Sequence, residues 1–292
     1  MNKKNRALIS LNLIIIFLLM IVTICGICSF NTGYSYEVIN QYGDTVRMWG
    51  TGLYSHDSYF MAPIFIGSDF TMLVITVPLA IITLVKMRKE ESVESYVRNF
   101  SILNIILYYS ASLAFGVTYN YLHLAYILLF GASFYGVGLL FVKLFAMSYS
   151  TNFNYKYSIT KGMEIFLILS GISLFVAWLP DIISSLVRGS SLDLIEVYTT
   201  SITYVLDMGI ISPLMFLTLY LLKKGSFIGY ILFRMILKIC MIIGIMLPVQ
   251  SVFQMISGIE IPIPALISKV LIFVMLAFFA AFFENRMKKQ LE

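Results

Sequence analysis

The chain of 292 residues is 60% hydrophobic and 12% charged, with a formal net charge of +5. Soluble domains are about half apolar and a quarter charged, so this composition excludes an ordinary soluble domain and indicates an integral membrane protein. Apolar runs consume nearly the whole length, leaving no space for a soluble catalytic domain. The positive charge reads as a topology signal, with no nucleic-acid partner implied.

Crossing the hydrocarbon core takes about 20 apolar residues per helix, and eight segments qualify: 7–29, 64–86, 100–119, 123–147, 162–182, 201–222, 226–248 and 264–285. The expected fold is all-α: a polytopic membrane helix bundle of eight transmembrane helices in a single integral membrane domain, 1–292, with a first half 1–150 and a second half 151–292. The first segment follows the basic stretch Met1–Arg6, like the start of a signal peptide, but it outruns the ~7–15 residues of such a peptide's apolar region and lacks an Ala-x-Ala cleavage site. It is expected to stay as an anchor. Cys25 and Cys28 at its outer end are one helical turn apart, a spacing a helix does not bridge without distortion.

Residues 30–63 form the one long external loop. Loops of this length in compact proteins are functional or disordered, and Tyr34, Tyr36, Tyr42, Trp49, Tyr54 and Tyr59 suit a lid at the membrane interface. Tyr54, His56 and Asp57 are its candidate functional residues. In the second segment Asp69, Thr76 and Thr83 recur every seven residues and share one face, with Pro78 below the acid. Tyr108 and Tyr109 lie deep in the third segment and each needs a hydrogen-bond partner. His56 and His123 are the only histidines, and neither has the facing ligands of a haem or metal site. No metal and no cofactor is expected.

In the sixth segment Thr203 and Asp207 share a face above Pro213. Superposing the second and sixth segments on their prolines aligns Pro78-Leu79 with Pro213-Leu214, Thr83-Leu84 with Thr218-Leu219, and Arg88-Lys89 with Lys223-Lys224. Both segments run outside to inside, so the halves are candidates for a 4+4 parallel repeat. Of the 20 Lys and Arg, 15 fall on one side of the predicted spans, which by the positive-inside rule puts both termini in the cytoplasm.

The seventh segment carries Arg234 and Lys238, four apart on one face. A cation near mid-bilayer is costly unless paired and marks a functional site by default. At 1.5 Å per residue, Asp69 and Asp207 lie ~8–10 Å below the outer ends of their segments and Lys238 ~15 Å, within reach once the lysine snorkels. The expectation is one charged centre of Asp69, Asp207, Lys238 and Arg234, lined by Thr76 and Thr203. A static ion pair that fixes helix register is the competing reading.

Gly52-Leu53-Tyr54 with Asp57, Asp69, Pro78-Leu79, Tyr119-Asn120, Tyr198-Thr199-Thr200 with Asp207, and Gly229-Tyr230 with Lys238 occur in that order over about residues 50 to 285. In this the chain resembles an uncharacterised family of bacterial polytopic integral membrane proteins with about eight spans. The resemblance implies a bacterial cytoplasmic membrane protein and draws attention to Asp69, Asp207 and Lys238. It carries no activity.

The function expected from these residues is a small-solute transporter or membrane-embedded binding protein, a partner of the lipid bilayer and of a small-molecule or lipid ligand. A membrane-embedded enzyme acting on lipid, quinone or a lipid-linked precursor, and a non-catalytic assembly or sensory subunit, are the alternatives. Substrate and oligomeric state are not legible in one sequence.

Overall fold

The computed structural model of the chain describes residues 3–31, 33–150, 159–261 and 270–291. Lys156, Lys269 and residues 264–269 of the eighth expected span lie outside them. Among the described residues there are eight long helices: α1 (Lys3–Ile27), α2 (Ala62–Lys89), α3 (Val93–Gly116), α4 (His123–Ser150), α5 (Lys161–Arg188), α6 (Ile202–Lys223), α7 (Phe227–Ile256) and α8 (Ile272–Leu291). Seven of them, α1 to α7, are long and apolar enough to cross a membrane. The second half of α8 carries Glu284, Arg286, Lys288 and Lys289.

Local chemistry sets the helix ends. Ser92 caps α3 by accepting from the Ser95 N–H at 3.2 Å, and Thr160 caps α5 from the Met163 N–H at 3.4 Å, each satisfying a donor the first turn leaves free. Helix α5 stops on Gly189 at φ +64, a left-handed conformation that favours glycine. Helices α2 and α6 share a further device. A π-helical turn spans Met72–Thr76 in α2 and Asp207–Ile211 in α6, each followed after one residue by Pro78 or Pro213. A π turn adds a residue to the local register, and the proline two positions on supplies no N–H. The two interruptions are 135 residues apart and coincide in the alignment that pairs the prolines.

The helices pack as two rings of four. In the first, α1 touches α2, α2 touches α3, α3 touches α4 and α4 returns to α1. The second repeats that order with α5, α6, α7 and α8. The rings join where α3 and α7 lie side by side, with α2 also against α7 and α3 against the start of α6. Small residues permit the close approaches: a Cβ on Gly67 would stand 2.7 Å from Cα of Gln250, so α2 and α7 meet nearly backbone to backbone. Side chains facing away from both rings are apolar and exposed, among them Phe17, Phe134, Leu139, Ile165, Leu169 and Phe278, as lipid contact requires.

The long outer loop is ordered. Tyr36–Ile39 (β1) and Thr45–Met48 (β2) form an antiparallel hairpin with Tyr36 opposite Met48 and Ile39 opposite Thr45. Gly43, at φ +90, makes its turn. The loop packs Trp49, Leu53 and Tyr54 under itself against Phe65 and Ile66 of α2.

The seventh helix departs from the sequence expectation in a way that relocates its cations. A helix ending at Pro248 leaves Lys238 about ten residues from the outer end, but α7 continues through that proline to Ile256. Lys238 is therefore 18 residues from the outer end, ~27 Å at 1.5 Å per residue, and it sits in the half of the bundle near the starts of α3 and α7 and the end of α8. Its partner is Glu284, at 3.0 Å, in place of Asp69 or Asp207. Arg234 is the centre of this cluster. Its guanidinium meets Glu284 at 2.9 and 3.0 Å and Glu94 at 2.7 and 3.1 Å, and it donates to the Tyr230 hydroxyl at 2.8 Å. With Arg234 1% exposed, this fork-on-fork clasp binds α3, α7 and α8 together.

Removing one member of a buried, hydrogen-bonded ion network strands the others. Arg234→Met is expected to lower stability by about 3–5 kcal/mol, read as the shift in equilibrium unfolding of the detergent-solubilised protein. Lys238→Met is expected to cost under about 1 kcal/mol, because its partly exposed ammonium is a peripheral member and Glu284 keeps Arg234. Equal costs for the two would contradict the clasp.

Candidate functional site

Asp69 lies seven residues into α2 and Asp207 five residues into α6, about 10 and 8 Å from the outer helix ends. Both are buried, at 0% and 5% exposure. Each carboxyl oxygen accepts one hydrogen bond from a neutral donor. The Tyr54 hydroxyl, dropping in from the outer loop, donates to Asp69 Oδ2 at 2.7 Å, and the Tyr109 hydroxyl donates to Asp69 Oδ1. On α6, the Tyr108 hydroxyl donates to Asp207 Oδ1 and the Trp178 indole N–H to Oδ2, both at 2.8 Å. Trp178 in turn stacks on Tyr204 at 4.8 Å between centroids, and the Tyr204 hydroxyl donates to Asp181 at 2.8 Å.

Tyr108 and Tyr109 are consecutive in α3. Neighbouring helical residues point about 100° apart, so one turn of one helix serves an acid in each ring. Helix α1 makes way for the first of these acids at Gly26, where a Cβ would overlap Asp69 Oδ2. Among the described residues neither acid forms an ion pair. Hydroxyl and indole donors satisfy the oxygens but cannot balance an ionised carboxylate, and in an apolar interior a proton or a small cation does so.

The structure thus divides the expected centre. Asp69 and Asp207 are linked through α3, while Arg234 and Lys238 stand apart in the clasp. Thr76 is buried in the π turn of α2 with its hydroxyl 3.3 Å from Met72 Sδ, and Thr203 is half-buried at the start of α6. Of the lid candidates, Tyr54 reaches the acid directly and His56 is exposed, 3.1 Å from the Tyr36 hydroxyl. Sequence reasoning did not single out Trp178, Glu94 or Glu284. Glu94 stands four residues before Arg98, with which it pairs at 2.9 Å along α3. No family model, no curated protein and no solved structure matches the chain.

Asp57 fastens the cap to the rest of the outer surface. Its Oδ1 accepts from the Thr118 N–H at 2.9 Å and the Tyr198 hydroxyl at 3.0 Å, and its Oδ2 is buried without a partner among the described residues. The neighbouring Ser58 hydroxyl donates to Glu196, the Tyr59 hydroxyl to Ser257 O at 2.8 Å, and the Gln254 amide to Phe60 O at 3.1 Å. The loop is therefore stitched to the link between α5 and α6 and to the end of α7. Burial pushes the Asp57 carboxyl up to about 7, against the opposing pull of the Thr118 and Tyr198 bonds. Burial also raises Glu196.

A carboxyl whose folded pKa exceeds its unfolded value favours the folded form most below the unfolded value, near 3.8 here, and loses that advantage as pH rises through about 7. The cap is expected to loosen over that window. Quenching of Trp49 fluorescence in a Trp178→Phe background should rise between about pH 4 and 7 in the otherwise native protein. The rise should flatten in Asp57→Asn, which keeps the acceptor but cannot ionise. An undiminished rise in that variant would remove Asp57 as its cause.

Proposed function

We propose that the protein is a multi-pass protein of the bacterial cytoplasmic membrane, with eight spans and both termini cytoplasmic, and that its halves are a parallel duplication. The coincident π turns and prolines of α2 and α6, and the repeated ring order, support the duplication. On this basis we read it as a small-solute transporter or membrane-embedded binding protein that works by exchange at two acids, Asp69 and Asp207. The observation that carries the reading is the Tyr108–Tyr109 pair, which hydrogen-bonds one acid in each ring while no cation among the described residues pairs with either.

The chemistry follows from that arrangement. A proton or cationic solute arriving at one carboxyl competes with its tyrosine and weakens that bond. Because both tyrosines ride on one turn of α3, a rotation or shift that releases one acid alters the fit at the other. The π turn and proline in α2 and α6 lie on the inner side of each acid or begin at it, where helix direction is least constrained by backbone hydrogen bonds. Tyr54 gives the outer cap a direct purchase on Asp69. The Arg234 clasp holds the opposite end of α3, α7 and α8 fixed, so that movement is confined to the outer half. Lys238 is a structural cation in this scheme.

Vesicles reconstituted with the purified protein and loaded with a pH-sensitive dye test the reading. A panel of amino acids, sugars, organic anions and amines should include a solute whose addition drives proton movement. Asp69→Asn and Asp207→Asn should each reduce that movement at least about ten-fold, whereas Lys238→Met should leave it near the native rate. Solute uptake unaffected by either Asp substitution would contradict the proposal.

A further inference from the structure

The core of the second ring is incompletely filled. A cavity of ≈ 30 Å³ lies between α5, α6, α7 and α8, bordered by Asp207 and Ser170 and walled mainly by apolar side chains such as Leu174, Ile239 and Phe273. Ser170 is 1% exposed, and its hydroxyl has no hydrogen-bond partner among the described residues. The first ring shows what is missing. In the 135-residue register that superposes the two π turns, Asp207 corresponds to Met72, a fully buried side chain in the hydrophobic core. Where one ring packs a methionine, the other places a shorter carboxylate beside open space and an unsatisfied hydroxyl.

We propose that this cavity binds a small alkylammonium ion, about the size of methylammonium, with Asp207 as its counter-ion and Ser170 Oγ as its second acceptor. The inference rests on the reading of Asp207 as a ligand-binding acid and adds the class of ligand. Three features select it. An ionised carboxylate has about four lone-pair sites, and the Tyr108 and Trp178 bonds use two, so acceptor capacity remains for an N–H donor. Water needs about 10–15 Å³, so the cavity has space for roughly two heavy atoms. The polar border offers one carboxylate and one hydroxyl amid apolar walls, whereas hard metal cations take about six oxygen ligands. An ammonium head can donate to both oxygens while its carbon rests on Leu174, Ile239 and Phe273.

The test is thermal unfolding of the full chain in detergent at constant pH and ionic strength, titrated with methylammonium chloride, sodium chloride or methanol, the neutral isostere. Methylammonium should raise Tm saturably, as a ligand that binds only the folded state does. Sodium and methanol should not. Asp207→Asn should weaken the apparent affinity at least about ten-fold, and Ser170→Ala, which removes a hydroxyl with no internal partner and should fold, about three-fold or more. Asp207→Met, which fills the space and leaves the Tyr108 hydroxyl and Trp178 N–H without their acceptor, should abolish the methylammonium effect. A shift no larger than that given by methanol or sodium, or one retained in both Ser170→Ala and Asp207→Asn, overturns the proposal. Binding measured this way needs no gradient. If methylammonium binds as expected while no solute drives proton movement, the site stands and the transport reading falls. If proton movement depends on Asp207 but methylammonium gives no specific shift, the ligand assignment falls and the transport reading stands.

Discussion

A charge or carboxyl buried among apolar helices must find a hydrogen-bonding partner within the protein, and in this bundle α3 supplies one to Arg234, Asp207 and Asp69, three of the five buried charged side chains among the described residues. Near its start Glu94 grips Arg234 with two oxygens; four turns later Tyr108 and Tyr109 reach Asp207 and Asp69. Helix α3, together with α2, is also where the two rings join. Arg234, Asp207 and Asp69 are thus referred to a single helix, and its position and rotation bear on whether they are satisfied. The inner cluster combines two guanidinium-to-carboxylate forks with a lysine, an arrangement costly to disrupt. The outer one consists of single bonds from hydroxyl and indole groups to acids that no cation among the described residues pairs with, which cost less to exchange. That contrast makes one end of the bundle an anchor and, on the function proposed above, the other the place where binding acts.

The same division extends through the fold. The interruptions in α2 and α6 lie in the part of each helix that carries its acid, and the outer cap closes over Asp69 through Tyr54. Asp57, Glu196 and Tyr198 then tie that cap to the link between α5 and α6, so access to the first acid and the geometry of the second half share contacts. In the second ring the acid lies beside a cavity, and in the first its positional counterpart is packed methionine. Two helices of shared construction thus hold carboxyl sites at different positions.

Much of this architecture was legible in the sequence. Hydropathy located seven of the eight expected segments on helices long and apolar enough to cross a membrane, because a bilayer demands long uninterrupted apolar runs, although α5 and α7 run six and eight residues past the expected ends. Alignment on Pro78 and Pro213 anticipated the shared construction of α2 and α6, and the depth of Tyr108 and Tyr109 flagged their need for partners. The placement of Lys238 failed for an identifiable reason. The seventh apolar segment ends at residue 248, whereas the helix continues through Pro248 to Ile256, as neighbouring helices in a bundle allow. The added eight residues, 249–256, moved the lysine away from the outer acids and toward Glu284. The hairpin from Tyr36 to Met48 was obscured by aromatic residues that also suit a membrane interface, although Gly43 and the alternation of Thr45-Val46-Arg47-Met48 were in view. Which helix faces which depends on packing between distant segments, and a single sequence does not record it.

The central claim is that consecutive tyrosines of α3 serve different acids. Double-mutant cycles on unfolding in detergent, combining Tyr109→Phe or Tyr108→Phe with Asp69→Asn or Asp207→Asn, test it most directly. The account predicts coupling of about 1 kcal/mol or more for Tyr109 with Asp69 and for Tyr108 with Asp207, and values near zero for the crossed pairs. Coupling of equal size in all four cycles, or in the crossed pairs alone, would contradict it.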